Sequence, residues 1–286
     1  MKKYFIECGN QKHDVEITKS KKEKNDIFFT KNGKEAINLL ISHLGLCHKD
    51  EVLIVSTFNT KYVSKCVTCS IFNKAKPSKV LTNRTKLIYI IHDHGFPLKD
   101  FNRYVDISKK NKIPLVEDCA HSITSRYHKE KNRNIGSIGD YTIYSFRKIF
   151  PIELGGLGFA KKTEFLNFKK SHKYIQNLDI RYHLKNSLIY HEKRVNNYHK
   201  LFDLTKDCNR FSKIIDQQVS PYCFSITHER PNLFRDNFIQ LSKDSFECVT
   251  WSNLSLVSFP CHQLIPIRKI KQLGLLINKT FNLLNK

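Results

Sequence analysis

Four short segments hold the side chains best suited to chemistry. Val116-Glu117-Asp118-Cys119-Ala120-His121 ends an apolar run with two carboxylates, a thiol and an imidazole. Ser145-Phe146-Arg147-Lys148 sets a hydroxyl three residues before an amine, and a Gly155-Gly156 turn follows. Thr30-Lys31-Asn32-Gly33-Lys34 stands where a helical pattern begins, and Ser56-Thr57-Phe58-Asn59 follows another apolar run. A neutral lysine amine can attack a carbonyl. A carboxylate can hold a cation in its protonated form. Backbone N–H groups at a helix start suit an anion such as phosphate. Each group also has a structural alternative. Lys148 is one lysine among many, Asp118 can cap a helix, and His121 can be a satisfied structural histidine.

The elements that position these groups follow from periodicity. Ala36, Leu39, Leu40, Leu44 and Leu46 recur at helical spacing after Asn32-Gly33. Val52-Leu53-Ile54-Val55, Leu87-Ile88-Tyr89-Ile90-Ile91 and Ile113-Pro114-Leu115-Val116 read as short buried strands, with a helix over 98–111. Tyr141-Thr142-Ile143-Tyr144-Ser145-Phe146 is a further strand. Strands alternating with helices imply an α/β fold with a mostly parallel sheet covered on both faces, and ligands gather at the carboxyl ends of such strands. After about residue 162 the character changes. Residues 163–206 are charged and helical in pattern, with Tyr190, Tyr198, Leu201 and Leu204 as packing positions. Residues 219–249 carry strand-like runs such as Tyr222-Cys223-Phe224-Ser225-Ile226, and a last helix is expected over 266–284. The expected organisation is a lead-in over 1–27, a large domain over 28–162 and a smaller α+β domain over 163–286.

Composition narrows the function classes. With 286 residues, 40% hydrophobic and 12% aromatic, the chain can bury a real core. Lys plus Arg number 49 against 26 Asp plus Glu, a formal net charge of +23. The basic residues are dispersed, which favours a solvated surface that also suits a phosphate-bearing substrate. No helix-turn-helix, zinc-finger or RNP-type motif supports nucleic acid binding. No stretch approaches the roughly 20 apolar residues of a membrane span, and the N-terminus does not resemble a signal peptide. A cytoplasmic protein with reduced thiols is expected. Cys66 and Cys69 form a lone CxxC in an apolar segment and are read as buried thiols rather than a metal site.

Taken in order, Asn32-Gly33, Val55 to Asn59, His92-Asp93-His94-Gly95, Val116 to His121 and Lys148 to Gly156 resemble the motifs of the DegT/DnrJ/EryC1/StrS sugar aminotransferases, which are fold-type-I pyridoxal phosphate (PLP) enzymes. Arg194 to Tyr198 and Phe259-Pro260-Cys261-His262-Gln263 match more weakly. The resemblance covers roughly residues 26–275.

The resemblance implies PLP as cofactor, with Lys148 as the lysine that holds its aldehyde and later moves the proton. Asp118 is implied to keep the pyridine nitrogen protonated. His121 is implied beside the ring. Asn32, Gly33, Lys34 and Ser145 are implied around the phosphate. Phe58 stands in for the aromatic that the family lays over the ring, the matching position itself being Asn59. No metal is implied. The implied reaction moves an amino group from an amino acid donor to an anionic keto-sugar, nucleotide-linked, for surface polysaccharide or related sugar biosynthesis, in a homodimer. The competing reading is a catalytically degraded relative that acts as a binding or scaffold protein, because the chain is short for the family.

Overall fold

The computed structural model describes residues 3–7, 27–58, 65–126, 135–152, 156–160, 180–209, 211, 215, 218–251 and 254–285. Its main sheet has seven strands: β1 (Ile27–Thr30), β2 (Glu51–Ser56), β3 (Lys76–Ser78), β4 (Thr85–Ile91), β5 (Leu115–Asp118), β6 (Tyr141–Ser145) and β7 (Gly156–Ala160). Their order across the sheet is β1-β7-β6-β5-β4-β2-β3. The pairs from β3 to β6 are parallel, while β7 runs antiparallel to both β6 and β1. All six residues of β2 are buried, as are six of the seven in β4. Apolar runs of this kind belong to strands covered on both faces.

Helices α1 (Gly33–His43), α2 (Lys65–Phe72) and α3 (Phe101–Asn111) connect these strands. Ala36, Ile37, Leu40 and Ile41 form the buried stripe of α1 and pack with Val52, Ile54, Val67, Ile71 and Tyr89. Leu53, Val55, Ile88, Ile90 and Phe101 cluster separately. These two residue sets alternate along β2 and β4, so they face opposite sides of the sheet.

Beyond β7 lies a second, antiparallel sheet of β8 (Cys223–Thr227), β10 (Leu256–Pro260) and β9 (Val249–Trp251). Helices α5 (Ile180–Lys185), α6 (Ser187–Leu204), α7 (Pro231–Ser242) and α8 (Ile267–Leu284) accompany it. Its core joins Tyr198, Leu201, Phe224, Phe234, Phe238, Phe259, Ile270, Leu273 and Ile277. A Cβ on Gly274 would come within 2.8 Å of Leu204, so the bare glycine is what lets α8 lie this close to α6. Tyr4 also belongs to this core. It makes a parallel bridge to Phe246, and their rings stack with centroids 5.6 Å apart.

Several expectations shift. The helix expected over 98–111 starts at Phe101, because the Leu98 amide is taken by His92 Nδ1 at 3.2 Å. The strand expected over 113–116 runs from Leu115 to Asp118. The strand expected to reach Phe146 ends at Ser145, where the short helix α4 (Phe146–Ile149) begins. Helix α7 occupies part of the 219–249 stretch read as strand-like; Pro231 at its first turn and the inward pair Phe234 and Phe238 account for it. Cys66 and Cys69 are not buried thiols. Cys66 is exposed and Cys69 half-buried, because α2 turns Val67, Ser70 and Ile71 inward instead. Of the charged stretch after 162, residues 161–179 lie outside the described residues, as do Asn59 and Gly155. No helix among the described residues is long and apolar enough to cross a membrane.

Candidate active site

Strands β4, β5 and β6 end together, and their ends and the N-terminus of α1 border one cavity of about 310 Å³. Asn32, Gly33, Lys34, Asp93, Asp118, Ala120, His121, Ser145 and Lys148 all line it. Seven of the eight residues expected around the cofactor therefore converge here. Phe58 does not line this cavity. Its ring meets Phe211 edge-on at 4.6 Å and also packs against Phe96 and His94.

The start of α1 is built by Asn32, whose Oδ1 accepts the Glu35 amide at 3.0 Å. Glu35 answers by accepting the Lys31 amide at 2.6 Å. This reciprocal cap uses the Asn-x-x-Glu spacing and fixes where the helix begins. The amides of Gly33 and Lys34 stand in the first turn, which has no intrahelical acceptors, and so they present N–H groups and a positive helix end to the cavity. A Cβ on Gly33 would sit 3.5 Å from Ser145 Cβ, so helix start and serine are direct neighbours.

Asp118 ends β5 and is buried. Its Oδ2 accepts from the Tyr89 phenol at 2.7 Å and its Oδ1 from the Ala120 amide at 3.0 Å. Burial raises its pKa, opposed by these hydrogen bonds and by the charge of Lys148. Glu117 faces the other way. Its carboxylate accepts the amides of Gly136 and Ile138, each at 2.8 Å, and contacts His92 Nε2 at 3.3 Å. It is a fastener for the 135–139 turn. His92, Glu117 and Cys119 are close enough together to hold an ion, but these bonds already occupy the Glu117 carboxylate.

Lys148 sits in α4, directly after β6. Its Nζ lies 2.9 Å from His121 Nε2, while His121 Nδ1 accepts the His94 amide at 3.3 Å. Tyr222 stacks on the His121 ring with centroids 4.2 Å apart and planes 12° from parallel. Burial holds the His121 imidazole well below the usual histidine range, and the charge of Lys148 adds to this. His121 is therefore neutral near pH 7.

Asp93 is the residue that motif reading left without a role. It lines the cavity, and burial pushes its carboxyl up to about 6, with Asp118 adding repulsion. Tyr222 was equally unassigned. Its amide donates to the His94 carbonyl at 2.9 Å, which ties the second sheet to the 93–95 turn. Tyr89 carried a signal in the sequence: a phenol inside an apolar strand must find a partner when buried. Arg147 forms an ion pair with Glu7 at 3.3 Å.

Comparison with known proteins gives a family match and a shared fold. Residues 19–160 match the model of the DegT/DnrJ/EryC1/StrS aminotransferase family. The chain is 29% identical over 128 residues to GDP-perosamine synthase of Escherichia coli O157:H7, covering 40% of this chain and 34% of that protein. It is 30% identical over 101 residues to UDP-4-amino-4,6-dideoxy-N-acetyl-beta-L-altrosamine transaminase of Campylobacter jejuni, covering 34% of this chain and 26% of that enzyme. The sequence matches thus span about a quarter to a third of these relatives. The fold agreement is wider. The aminotransferase TlmJ of Streptoalloteichus hindustanus superimposes with a TM-score of 0.76 at 14% identity, over 91% of this chain and 87% of that one. Helicobacter pylori PseC, an aminotransferase involved in pseudoaminic acid biosynthesis, does so with a TM-score of 0.73 at 16% identity, over 90% and 86% of the two chains. Residues 19–160, close to half of the chain, thus match the DegT/DnrJ/EryC1/StrS aminotransferase family, and the chain shares the fold of these aminotransferase structures.

Proposed function

We propose that this protein is a PLP-dependent aminotransferase that moves an amino group from an amino acid to a keto-sugar, nucleotide-linked, in sugar biosynthesis. The observation that carries the proposal is the convergence of Lys148, Asp118, Ser145 and the Asn32-Gly33 helix start on one cavity. The donor set fits the cofactor. A phosphate suits the α1 N-terminus and the Ser145 hydroxyl. A protonated pyridine nitrogen suits Asp118, whose burial needs a compensating positive charge. An aldehyde suits the Lys148 amine.

When bound, PLP supplies an aldehyde for covalent capture of amines and a ring that accepts electrons. The chain supplies the rest. Lys148 Nζ would hold the aldehyde of the bound cofactor and would serve as the base that moves the substrate proton. Asp118 would hold positive charge at the ring nitrogen. Tyr89 and the Ala120 amide keep that carboxylate oriented. His121 lies against Lys148 and sets the direction of its amine. The relatives are named for GDP- and UDP-linked amino sugars, which supports a nucleotide-sugar acceptor. We place the reaction in a two-fold dimer in the cytoplasm, as the family resemblance implies.

The test is direct. The purified protein is incubated with PLP, reduced with borohydride and digested, and the modified peptide is located by mass spectrometry. The expected result is a phosphopyridoxyl group on Lys148 and amino transfer to a 4-keto nucleotide sugar. A chain that takes up no cofactor under these conditions overturns the proposal.

A further inference from the structure

Once Lys148, Asp118, Ser145 and the start of α1 are assigned, the cavity wall still holds a charged pair, Glu7 and Arg147. Arg147 Nε and a Glu7 carboxylate oxygen lie 3.3 Å apart. Asp118 and Ser145 are buried, whereas the Arg147 and Glu7 side chains remain 34% and 28% exposed. The pair therefore stands at the rim of the cavity. Arg147 directly precedes Lys148 and both line the cavity, so an anion held by Arg147 stands beside the lysine amine.

Glu7 is brought to this rim by a fastened segment. The Tyr4 amide donates to the Ser245 carbonyl at 2.9 Å, and the Tyr4 carbonyl accepts the Glu247 amide at 2.7 Å. The Glu247 carboxylate then accepts the amide of Ile6, which is buried. Glu7 is the next residue, so its carboxylate is presented to Arg147 as a tethered group. A tethered group competes with a free ligand at an effective concentration of about millimolar.

Two features make Glu7 displaceable. The pair is half-exposed, and an ion pair of that kind shifts an equilibrium by no more than about fivefold. Glu247 also opposes it. Burial raises the Glu247 pKa and the neighbouring Glu7 charge adds to this, so the two carboxylates repel. What replaces Glu7 follows from the group it presents. A guanidinium fork matches a carboxylate through two parallel hydrogen bonds, and a carboxylate already stands against Arg147. The phosphate has its own donors in the first turn of α1 and at Ser145.

We propose that Arg147 is the carboxylate-binding residue of the cavity, and that Glu7 is its built-in occupant, displaced by the carboxylate of the amino acid donor. This rests on the reading of the cavity as the aminotransferase site, but its test does not.

The experiment titrates the full chain with glutarate, a dicarboxylate that has no amine to react, and separately with inorganic phosphate, both by calorimetry. Glu7→Gln should bind glutarate about two- to fivefold tighter than the parent, because the internal competitor is gone. Arg147→Gln should bind it at least about tenfold more weakly. Adding Glu7→Gln to Arg147→Gln should then change glutarate binding by less than about twofold, since nothing remains to compete for. Phosphate binding should stay within about twofold in Arg147→Gln. A variant that loses its fold is recognised by circular dichroism, and the unsubstituted protein then decides. Phenylglyoxal labels arginines, and glutarate should slow labelling of Arg147, read by peptide mass spectrometry, while leaving the exposed arginines unchanged. Glutarate binding unaltered or weakened in folded Glu7→Gln overturns the proposal, as does absence of protection at Arg147. Loss of phosphate rather than glutarate binding in Arg147→Gln would assign the residue to a phosphate group and overturn it too. No cofactor enters these measurements, so failure here and failure of PLP to attach at Lys148 are separate results.

Discussion

Arg194 and Gln263 both donate to the carbonyl oxygen of Ile149, the residue that follows Lys148. The two donors are also joined to each other, Arg194 Nε to Gln263 Oε1 at 2.7 Å. Arg194 lies in α6 and Gln263 just after β10, so the end of the lysine helix is gripped by the second sheet and its helices. Arg194 further donates to the carbonyl of Pro221 at 3.0 Å and reaches that of Tyr222 at 3.4 Å. One guanidinium thus braces both Lys148 and the ring stacked on His121.

Replacing that guanidinium should be costly. Arg194→Met removes bonds to buried carbonyls that have no water to turn to, with an expected loss of about 3 kcal/mol. Urea denaturation measures it. Gln263→Leu should lose less, about 1–2 kcal/mol, because Arg194 still reaches Ile149. Equal stability of Arg194→Met and the parent would show that the grip is not a source of stability.

Lys148→Ala should fold normally and acquire no borohydride-stable cofactor at this position. Amino transfer should fall by about 10³-fold or more, since nucleophile and proton carrier vanish together. Asp118→Asn should still take up cofactor through Lys148 but lose about 10²-fold or more in rate, as the ring nitrogen loses its counter-charge. Mass spectrometry and steady-state kinetics separate the two effects. An Asp118→Asn enzyme at parental rate would reduce Asp118 to a cap on the Ala120 amide.

Asp93 should make the cofactor-free protein pH-sensitive. Burial pushes its carboxyl from 3.8 up to about 6. A carboxyl whose pKa is higher folded than unfolded contributes stability that is complete below about pH 4 and lost as pH rises through about 6. The shift corresponds to about 3 kcal/mol. Asp93→Asn should therefore gain stability over the parent as pH moves from 4 to 7.5, by up to that amount. Denaturation curves at both pH values test it, and a constant difference between the two proteins would place the burden elsewhere.

Gly95→Ala should weaken the joint between the two sheets. Gly95 has φ +94°, and a Cβ there would lie 2.0 Å from the Ser220 carbonyl oxygen, a backbone atom with no rotamer to yield. The expected loss is about 2–4 kcal/mol. A variant as stable as the parent would mean that this turn tolerates a side chain.

Much of the large sheet was legible because its strands are buried on both faces. The runs at 52–55 and 87–91 are apolar throughout, and a parallel sheet demands that. The cavity was legible because its residues stand at strand ends or helix starts, where short spacings such as Ser145 to Lys148 survive folding. What escaped depends on contacts between distant segments. Nothing near Tyr222 in the chain announces that its ring will lie on His121. Arg194 and the Phe259-Pro260-Cys261-His262-Gln263 run were visible as motifs, but their shared acceptor at Ile149 emerges only once the chain is folded. Phe58 shows the reverse. The family resemblance offered it as the aromatic over the cofactor ring, yet it lies off the cavity and its ring packs on Phe211, a residue far along the chain.

The bridge between Tyr4 and Phe246 sets a timetable for synthesis. Tyr4 leaves the ribosome 246 − 4 = 242 residues ahead of its partner. At 5–20 residues per second that is a wait of about 12–48 s. Throughout this interval Tyr4 and Ile6, both buried in the finished protein, remain without the segment that covers them. The parallel strands from β2 to β6 can pair meanwhile, since their partners emerge close together. The nascent chain thus carries an exposed apolar N-terminal segment beside a nearly complete sheet, a natural place for a chaperone to hold it until Phe246 arrives.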